Sequence, residues 1–400
     1  MINLFSYPQD KAVTQHKHRS LCSSLTVLFL VIMSGLVFSS AILSNVVKAQ
    51  SDTDDLYAQI VMATDRRDGS NFIFQRALSS NNPELQKAAL LGLGRIGAPE
   101  SVNQIGTYLY SPQPEIRKTA AFALAITMNP NAYDWLVKRL SSESNNEVIA
   151  ELVAGIGISP KHDKDTDRVT LLLPFLDHKS LSVQSATCDG LNYAWSMYRD
   201  TISVPNSTQV FKLMSMAQAD PEVANHCLYS LTRLRSETAL FEQEQLLKTI
   251  AAATTQYHHK LLLLIVGQQQ KSMFLPYITA QLNAPDFGVV AEAATALAKL
   301  PYAKENNLTY QALVQHPESQ VKIGFIQGLA SQPPTPESIA LLKQMANDES
   351  LWVKYRALAL LFQAQPVQFL KPWLALFDQK AERQPTWELM VLEVASQMDN

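Results

Sequence analysis

The pattern of apolar and polar positions predicts helices along most of the chain. From about residue 55 onwards, apolar and small residues recur at spacings of three and four, as at Ile116, Ala120, Ala123 and Leu124. That spacing is typical of an amphipathic helix, which turns once in about 3.6 residues. Sustained alternation of apolar and polar residues, the pattern of a half-buried strand, does not occur between turn signals. We therefore expect an all-α protein.

One short sequence phrase returns at nearly constant intervals. It consists of a turn, an acid, an aliphatic residue, polar residues and then small residues, as in 82–94 and 113–125. The aliphatic residue, here called the register residue, recurs at Leu85, Ile116, Val148, Val183, Val223, Val289, Val321 and Val353. The steps between these positions are 31, 32, 35, 40, 66, 32 and 32 residues. A period of this size predicts a stack of supersecondary units instead of one globular core.

Each unit is expected to contain two helices. Asp220 is placed to cap the helix of its phrase, with Pro221 in the first turn. A second amphipathic stretch precedes the phrase, as at 101–109 and 336–345. The step of 66 residues spans two units with a degenerate copy at 257–267, and an altered last copy at 386–395 brings the total to about ten. No such unit buries its apolar face alone, so the units must stack into an α-solenoid.

The units resemble HEAT repeats, in particular the short HEAT-like kind of the phycobilisome lyases, over about residues 55–396. The resemblance rests on the Asp-Pro-x-Val sequence at 220–223 and on the arginine after the register residue at Arg117. It implies a right-handed superhelix of about ten HEAT-like helix pairs. A cation also follows the register residue at Lys322 and Lys354 but not in every unit, so we expect the acid–base ladder of such arrays to be interrupted.

The opening stretch carries a second resemblance. Residues 60–77, which include the run Asp-Arg-Arg-Asp at 65–68, are similar to the start of HEAT arrays fused to secreted cyclophilin-type prolyl isomerases. No cyclophilin sequence follows in this chain. The two resemblances together imply an alternative function, an array or accessory subunit of an enzyme, either isomerase-associated or lyase-like.

The first 49 residues differ from the rest. A basic head ending at 16–19 precedes an apolar run at 25–43, and small residues follow at Val47 and Ala49. These are the parts of a secretory signal with cleavage after Ala49. A retained anchor is the alternative, because a membrane span needs about 20 residues. We therefore expect a signal peptide or signal anchor at 1–49 and a HEAT-like solenoid domain at 50–400, in the periplasm or otherwise exported, free or anchored in the inner membrane by 25–43.

The charge balance disfavours a nucleic-acid partner. The chain carries a formal net charge of −3, and its first 49 residues hold four cations against one acid, a net of +3. The remainder therefore carries −6. Proteins that bind nucleic acid usually present a basic surface, so we expect a protein or peptide partner instead.

Two cysteines lie outside the first 49 residues. Cys188 and Cys227 are 39 residues apart where the local unit spacing is 40, so they occupy nearly matching places on neighbouring second helices. Packed helix axes lie about 8–10 Å apart, and a disulfide needs Cα atoms within roughly 7 Å. Facing positions on an exported protein therefore allow a disulfide. Two buried free thiols are the favoured interpretation, with the disulfide as the alternative.

Two patterns that suggest ligand chemistry have plainer interpretations. Residues 92–97 match the GxGxxG pattern of dinucleotide sites, but they end a predicted helix, and Gly97 suits a helix C-cap. Asp163, Asp165 and Asp167 resemble the start of a calcium loop. The glycine and the closing glutamate of such a loop are missing, so a solvated connection between units is favoured.

The sequence contains no arrangement typical of catalysis. No HExxH, CxxC or GxSxG pattern occurs. His258 and His259 are adjacent, so on a helix they point about 100° apart and do not chelate one ion together. We therefore predict no catalytic residue, no cofactor and no metal site, and a protein that is not an enzyme. Trp195, with Tyr193 and Tyr198, is interpreted as core in preference to an exposed partner anchor, because of its helical spacing.

A stack of helix pairs without a catalytic group predicts a scaffold that binds a protein or peptide partner in the cell envelope or periplasm. The candidate contacts are polar residues early in the second helices: Lys87, Lys118, Glu151, Asn225, Lys322 and Lys354. A membrane-anchored structural part of an envelope complex is a further alternative. The units are longest around Cys188 and Cys227, and there we expect any specialised site.

Overall fold

The structure is a computed structural model that describes residues 53–161, 168–198, 201–202, 206–234 and 241–375. All regular structure within these ranges is helical, which confirms the predicted all-α class. In this part of the chain, no helix combines the length and the apolar character needed to cross a bilayer. The predicted segment at 1–49, the acidic run at 163–167 and the altered last copy at 386–395 lie outside the described residues.

Nine helix pairs follow one another in the described residues, each with a first and a second helix. They are preceded by α1, at 53–65. The first helices are α2 (Phe72–Leu78), α4 (Pro99–Thr107), α6 (Pro130–Leu140), α8 (Arg168–Leu172), α10 (Ser207–Ala219), α12 (Gln243–Ala251), α14 (Leu275–Gln281), α16 (Asn307–Val314) and α18 (Pro336–Met345). The second helices are α3 (Pro83–Ile96), α5 (Pro114–Ile126), α7 (Asn146–Ile158), α9 (Leu181–Met197), α11 (Pro221–Leu231), α13 (Gln256–Gln269), α15 (Phe287–Lys299), α17 (Ser319–Leu329) and α19 (Leu351–Ala364). Then α20 (Pro366–Ala375) follows, and short 3₁₀ helices lie at Tyr108–Tyr110, Leu173–Asp177, Ser272–Phe274 and Lys304–Asn306.

The helices pack in the order in which they occur in the chain. From α3 to α19, each second helix contacts the second helix before it and the one after it. In most pairs the first helix also packs on its own second helix. The buried apolar side chains form one continuous core along the stack. Contacts between neighbours along the chain are the packing of a helical solenoid, as predicted.

The register residue has the same place in every second helix of the described pairs. It is the third residue of the helix, and its side chain is buried, as for Val148 and Val321. In α13 this place is taken by His258, which is 2 % exposed. The step of 66 residues therefore divides into 35 and 31, and the predicted degenerate copy is confirmed.

Polar caps mark the starts of the second helices. Asp220 accepts hydrogen bonds from the backbone N–H groups of Glu222 at 2.8 Å and Val223 at 3.3 Å, and Pro221 begins α11, as predicted. The same capping role is filled in other units by Asn82, Asn145 and Asp286. Such a cap contributes about 1 kcal/mol, because it satisfies an N–H group that the helix leaves without a partner.

Neighbouring second helices approach closely at small residues. A Cβ atom on Gly94 would lie 2.6 Å from the carbonyl oxygen of Ala123. A Cβ atom on Gly157 would lie 2.3 Å from the carbonyl oxygen of Gly190. Both distances are too short for any side chain, so glycine at these two places sets the spacing between the helices.

The GxGxxG sequence at 92–97 forms a helix end, as predicted. Gly97 follows α3 with a left-handed backbone, at φ 68°, and its N–H group donates to the carbonyl of Leu93. This is the usual helix C-cap, in which glycine avoids the cost of a Cβ atom. A dinucleotide site would need these glycines to open a helix after a strand.

Ion pairs link successive units at one recurring place. Arg117 donates to the Glu143 carboxylate from Nε at 2.8 Å and from Nη2 at 3.0 Å, and Arg139 donates to the same group at 2.6 Å. Lys322 pairs with Asp348 in the next unit in the same way. In these two pairs the inter-unit cation, Arg117 or Lys322, directly follows a register residue, and the acid lies five residues before the next register residue. Among the described units the pairing is absent where Gln86 follows the register residue, so the ladder is interrupted, as expected.

A buried arginine holds the stretched units together. Arg168 is inaccessible to solvent, and its Nη1 donates to the Gly157 carbonyl at 3.0 Å. Its guanidinium lies 5.1 Å from the ring centre of Tyr133 and 4.4 Å from that of Tyr198. The hydroxyl of Tyr198 donates to the Ile158 carbonyl at 2.5 Å. Stacking on aromatic faces stabilises a desolvated guanidinium, so Arg168 closes the junction between α7 and α9.

Candidate functional site

The second helices present one solvent-facing stripe, here called the second-helix surface. It comprises the residue before each register residue and the residues three, six and ten positions after it, because these share one helix face. Exposed aromatic rings lie on it at Phe122, Tyr257 and Trp352, which are 43 %, 47 % and 43 % exposed. Accessible aromatic side chains that recur on one face are typical of protein-binding surfaces.

Ionisable side chains gather in the middle of this surface. The group, here called the central cluster, spans α7, α9, α11 and α13 and consists of Glu151, Asp189, Tyr193, His226, Tyr229 and Tyr257. All six occupy positions of the second-helix surface. Burial raises the pKa of Tyr193 and of Tyr257, and the nearby Asp189 carboxylate raises both further. The phenols are therefore neutral hydrogen-bonding groups at physiological pH.

An acid and a histidine bridge α9 and α11. Nδ1 of His226 lies 2.9 Å from both carboxylate oxygens of Asp189. The hydrogen bond to Asp189 raises the pKa of His226, although burial opposes the change. Both side chains remain about one third exposed, at 38 % and 33 %. The pair is therefore an accessible, hydrogen-bonded polar group that joins two neighbouring units.

Glu151 contributes a carboxyl group with an unusual protonation state. Burial raises its pKa to about 7, while Lys118 opposes the change and Glu147 adds to it. At neutral pH the group is divided between its protonated and ionised forms. It can therefore donate a hydrogen bond in one form and accept one, or face a cation, in the other.

An arginine orders one of the three phenols. Arg233 also lies on the second-helix surface, and its guanidinium is 4.7 Å from the ring centre of Tyr229. Its Nη2 atom donates a hydrogen bond to the Tyr229 hydroxyl. Tyr229 is thus held in one orientation, which lowers the conformational entropy that it would lose on binding a partner.

A disulfide lies directly beneath the central cluster. Cys188 precedes Asp189, Cys227 follows His226, and the structure joins the two cysteines with Cα atoms 4.9 Å apart. The Ser230 hydroxyl also donates to the backbone carbonyl of Cys188. These links fix α9 against α11 at the point where the acid and the histidine meet. The oxidised state in the protein as it occurs in the cell stays a prediction.

The residues predicted as partner contacts have different surroundings. Lys87 pairs with Glu84 at 2.7 Å, and Lys118 pairs with Glu147 at 3.3 Å, both at the surface. Surface pairs of this kind contribute little to stability, so the lysines stay accessible to a partner. Glu151, as described above, belongs to the central cluster.

All of the predicted contacts except Glu151 lie off the four positions that define the second-helix surface: Lys87, Lys118 and Asn225 come two residues after a register residue, and Lys322 and Lys354 come directly after one. Asn225 is half-buried beside His226, and within the described residues its carbonyl oxygen accepts no hydrogen bond. The side chain of Lys322 is 13 % exposed in its pair with Asp348, which gives it a structural role between units. Lys354 has the equivalent position in α19 and is half-buried.

The remaining candidates from the sequence are Trp195 and the adjacent pair His258 and His259. Trp195 is 4 % exposed and therefore part of the core, as expected. His258 is buried, while Nδ1 of His259 lies 3.2 Å from the hydroxyl of Tyr277. Among the described residues, no three His, Cys, Asp or Glu side chains are grouped so that they could hold a metal ion.

Most of the central cluster was not among the predicted contacts. Asp189, His226, Tyr229 and Tyr257 lie on four turns of three helices, and no motif in the sequence joins them. The signal in the sequence that could have located these residues is the recurrence of the register residue. Once His258 is recognised as a register residue, the same four positions fall on one surface.

Comparison with known proteins bears on the fold. Residues 70–157 match the family model for HEAT repeats. One engineered protein of known crystal structure is 18 % identical, with 79 % of this chain and 93 % of that chain covered and a TM-score of 0.45. A second is 16 % identical, with 75 % and 96 % covered and a TM-score of 0.22. No curated protein matches the chain. Residues 70–157 are therefore similar to HEAT repeats, and helix pairs of the same arrangement continue to residue 364.

Proposed function

We propose that this protein is a scaffold that binds a protein or an extended peptide along its second-helix surface, with the central cluster as the main anchor. The observation that carries the proposal is the gathering of Tyr193, Tyr229 and Tyr257 around the Asp189–His226 pair on successive helices. Long surfaces lined by equivalent helices are the usual binding surfaces of solenoids.

The chemistry of the cluster suits a protein partner. Tyrosines bury a large apolar ring and still offer a hydroxyl, so they are frequent where binding energy is concentrated. Several members are held in place before binding, Tyr229 by Arg233 and the acid–histidine pair by the disulfide. Preorganised groups lose less entropy when a partner docks, which favours affinity.

The proposal includes export and a right-handed superhelix. The N-terminal sequence pattern and the disulfide geometry both support an oxidising compartment outside the cytoplasm, such as the periplasm. In the right-handed form implied by the HEAT resemblance, the second helices line the inner face, which would wrap around an extended partner.

Affinity capture with matched variants tests the proposal. The chain without residues 1–49 is immobilised and exposed to the envelope fraction of its own cells. The double variant Tyr229→Ser and Tyr257→Ser should lose most of the captured partner, because each anchor ring contributes about 1–2 kcal/mol or more. Phe211→Ser is the control, since Phe211 is 46 % exposed but lies on the first helix α10. Equal capture by both variants would place the binding surface elsewhere.

The lysines early in the second helices give a further arm of the same experiment. Charge reversal at Lys87 and Lys118 together should weaken capture if the partner extends along α3 and α5. Unchanged capture would confine the partner to the central cluster.

Two alternative functions are tested by separate experiments. We infer an enzyme-accessory role only from the resemblances of residues 60–77 and of the repeats, and prolyl isomerase activity or visible absorbance from a bound bilin would support it. A membrane-anchored structural role would leave the full-length protein in the membrane after a carbonate wash.

A further inference from the structure

A cavity of about 300 Å³ lies at the junction between α15, α17 and α18. Its floor is formed by aliphatic side chains such as Leu297, Leu329 and Leu341, and its mouth by Pro301 and Tyr302. It is more than 30 residues away in sequence from the central cluster and shares no residue with it. A cavity of roughly 150 Å³ already holds benzene in another protein, and small-molecule sites begin at roughly 300 Å³.

One wall of the cavity is a column of three aromatic rings. The rings of Tyr302 and Tyr310 are 5.2 Å apart and tilted by 28°, and those of Tyr310 and Phe325 are 6.0 Å apart and tilted by 27°. Tyr310 and Phe325 are buried, whereas Tyr302 is 36 % exposed. The Tyr310 hydroxyl accepts a hydrogen bond from the Ala303 backbone at 3.4 Å, which ties the column to the loop. Nearly parallel rings of this kind offer flat faces to another ring.

Among the polar side chains that line the cavity, the Gln332 amide offers an acceptor. Thr335 and Ser338 hydrogen-bond each other as the cap of α18 and need no ligand. The side-chain N–H of Gln332 donates to the Lys299 carbonyl at 2.6 Å, so the carbonyl oxygen of the same amide is left to accept at the rim. Within the described part of the chain, no charged side chain lines the cavity. Burying a charged ligand there would be costly, because nothing would compensate its lost hydration.

An equivalent junction earlier in the stack contains an arginine side chain. Ile158 and Lys299 both lie ten residues after a register residue, and both carbonyls receive a side-chain hydrogen bond from the next unit. At the earlier junction the guanidinium of Arg168 lies against the rings of Tyr133 and Tyr198. At the later junction the aromatic rings are present and the space between the helix ends stays open.

We propose that this cavity, here called the aromatic cavity, binds one neutral, flat aromatic molecule that carries a single hydrogen-bond donor, of about the size of indole. The ligand stacks on the ring of Tyr302, which is the exposed end of the column, and donates to the Gln332 carbonyl oxygen. The site is independent of the partner surface proposed above.

Ligand titration tests the chemical class. Binding of indole, 1-methylindole and indole-3-acetate to the chain without residues 1–49 is measured by saturation-transfer NMR and calorimetry. Indole should bind saturably with one molecule per chain. 1-Methylindole, which has no donor, should bind about fivefold more weakly, since a net hydrogen bond contributes about 1 kcal/mol. The acetate should bind at least tenfold more weakly because its charge is desolvated. No saturable indole binding, or equal affinity for all three, would overturn the proposal.

Two variants place the ligand in the aromatic cavity. Leu329→Phe fills the space, and Tyr302→Ala removes the ring at the mouth. Each should weaken indole binding at least tenfold. Tyr57→Ala is the control, because Tyr57 is 52 % exposed on α1, and it should leave the affinity unchanged. Thermal unfolding of each variant checks the fold. Indole affinity that is unchanged in both folded cavity variants would contradict the assignment.

Discussion

At the scale of single residues, the informative positions are polar side chains buried between repeats. His258 occupies a register position that is aliphatic in the other described units, and burial lowers the pKa of its imidazole, so it is neutral at pH 7. Arg168 is likewise buried, between two tyrosines. Neither role was predictable from residue type, because burial of such groups depends on partners from other units. The N-cap at Asp220 and the C-cap at Gly97 were predictable, since caps act locally.

Glu143 provides a test of the inter-unit ion pairs. Burial raises the pKa of Glu143, but hydrogen bonds from Arg117, Asn145, Arg139 and Ser144 outweigh burial and lower it from the ordinary 4.5 to about 2. A depressed pKa in the folded state stabilises the protein above the ordinary value. That contribution is lost as the pH falls from about 4.5 towards about 2.

We therefore expect Glu143→Gln to lower the free energy of unfolding at pH 7 by about 2–3 kcal/mol, because two arginines lose a buried partner. The difference between wild type and variant should shrink below pH 4. Urea unfolding at pH 7, 5 and 3 measures it. A difference that is the same at all three pH values would contradict the assigned role.

At the scale of elements, the spacing of second helices depends on small residues at specific places. The sequence predicted close approach from the recurrence of Ala and Gly, and the structure places α7 against α9 at Gly157 and Gly190. What the pattern did not distinguish is which glycines touch the next helix. Gly155 lies in the same run, but its nearest neighbour to an added Cβ is the flexible end of Leu136 at 3.3 Å.

Gly157→Ala and Gly155→Ala form a matched pair of variants. We expect Gly157→Ala to destabilise the protein by about 2 kcal/mol, because the new methyl group forces α7 and α9 apart. Gly155→Ala should leave stability unchanged or raise it by up to about 1 kcal/mol, since alanine favours a helix over glycine. Urea denaturation of the two variants side by side measures this. Equal changes in stability for the two variants would show that the close approach of α7 and α9 at Gly157 does not exclude a side chain there.

At the scale of the whole molecule, the chain is a stack in which each unit depends on its neighbours. The repeat, its approximate length and the stretched middle were all readable from the sequence, because they follow from a periodic pattern. The grouping of the central cluster was not readable in the same way. It depends on the register of α13, which is hard to recognise because His258 replaces the aliphatic register residue. It also depends on packing across four helices.

The disulfide between Cys188 and Cys227 is a property of this assembled stack, since it joins neighbouring units. On the proposal of export, we expect both cysteines of the chain without residues 1–49 to resist alkylation under denaturing conditions until a reductant is added. Mass spectrometry counts the modified thiols. Replacing both cysteines with alanine should cost about 2–4 kcal/mol of stability. Two thiols that are alkylated without reductant would show that the pair is reduced.

We propose above that a partner binds on the second-helix surface at the central cluster. The most direct measurement is site-specific photo-cross-linking in living cells, with a photoreactive phenylalanine analogue in place of Tyr257 or, separately, of Phe211. Both positions are exposed, at 47 % and 46 %, but they lie on a second and a first helix. We expect a discrete adduct from position 257 and none from position 211. No adduct at 257, or the same adduct from both positions, would contradict it.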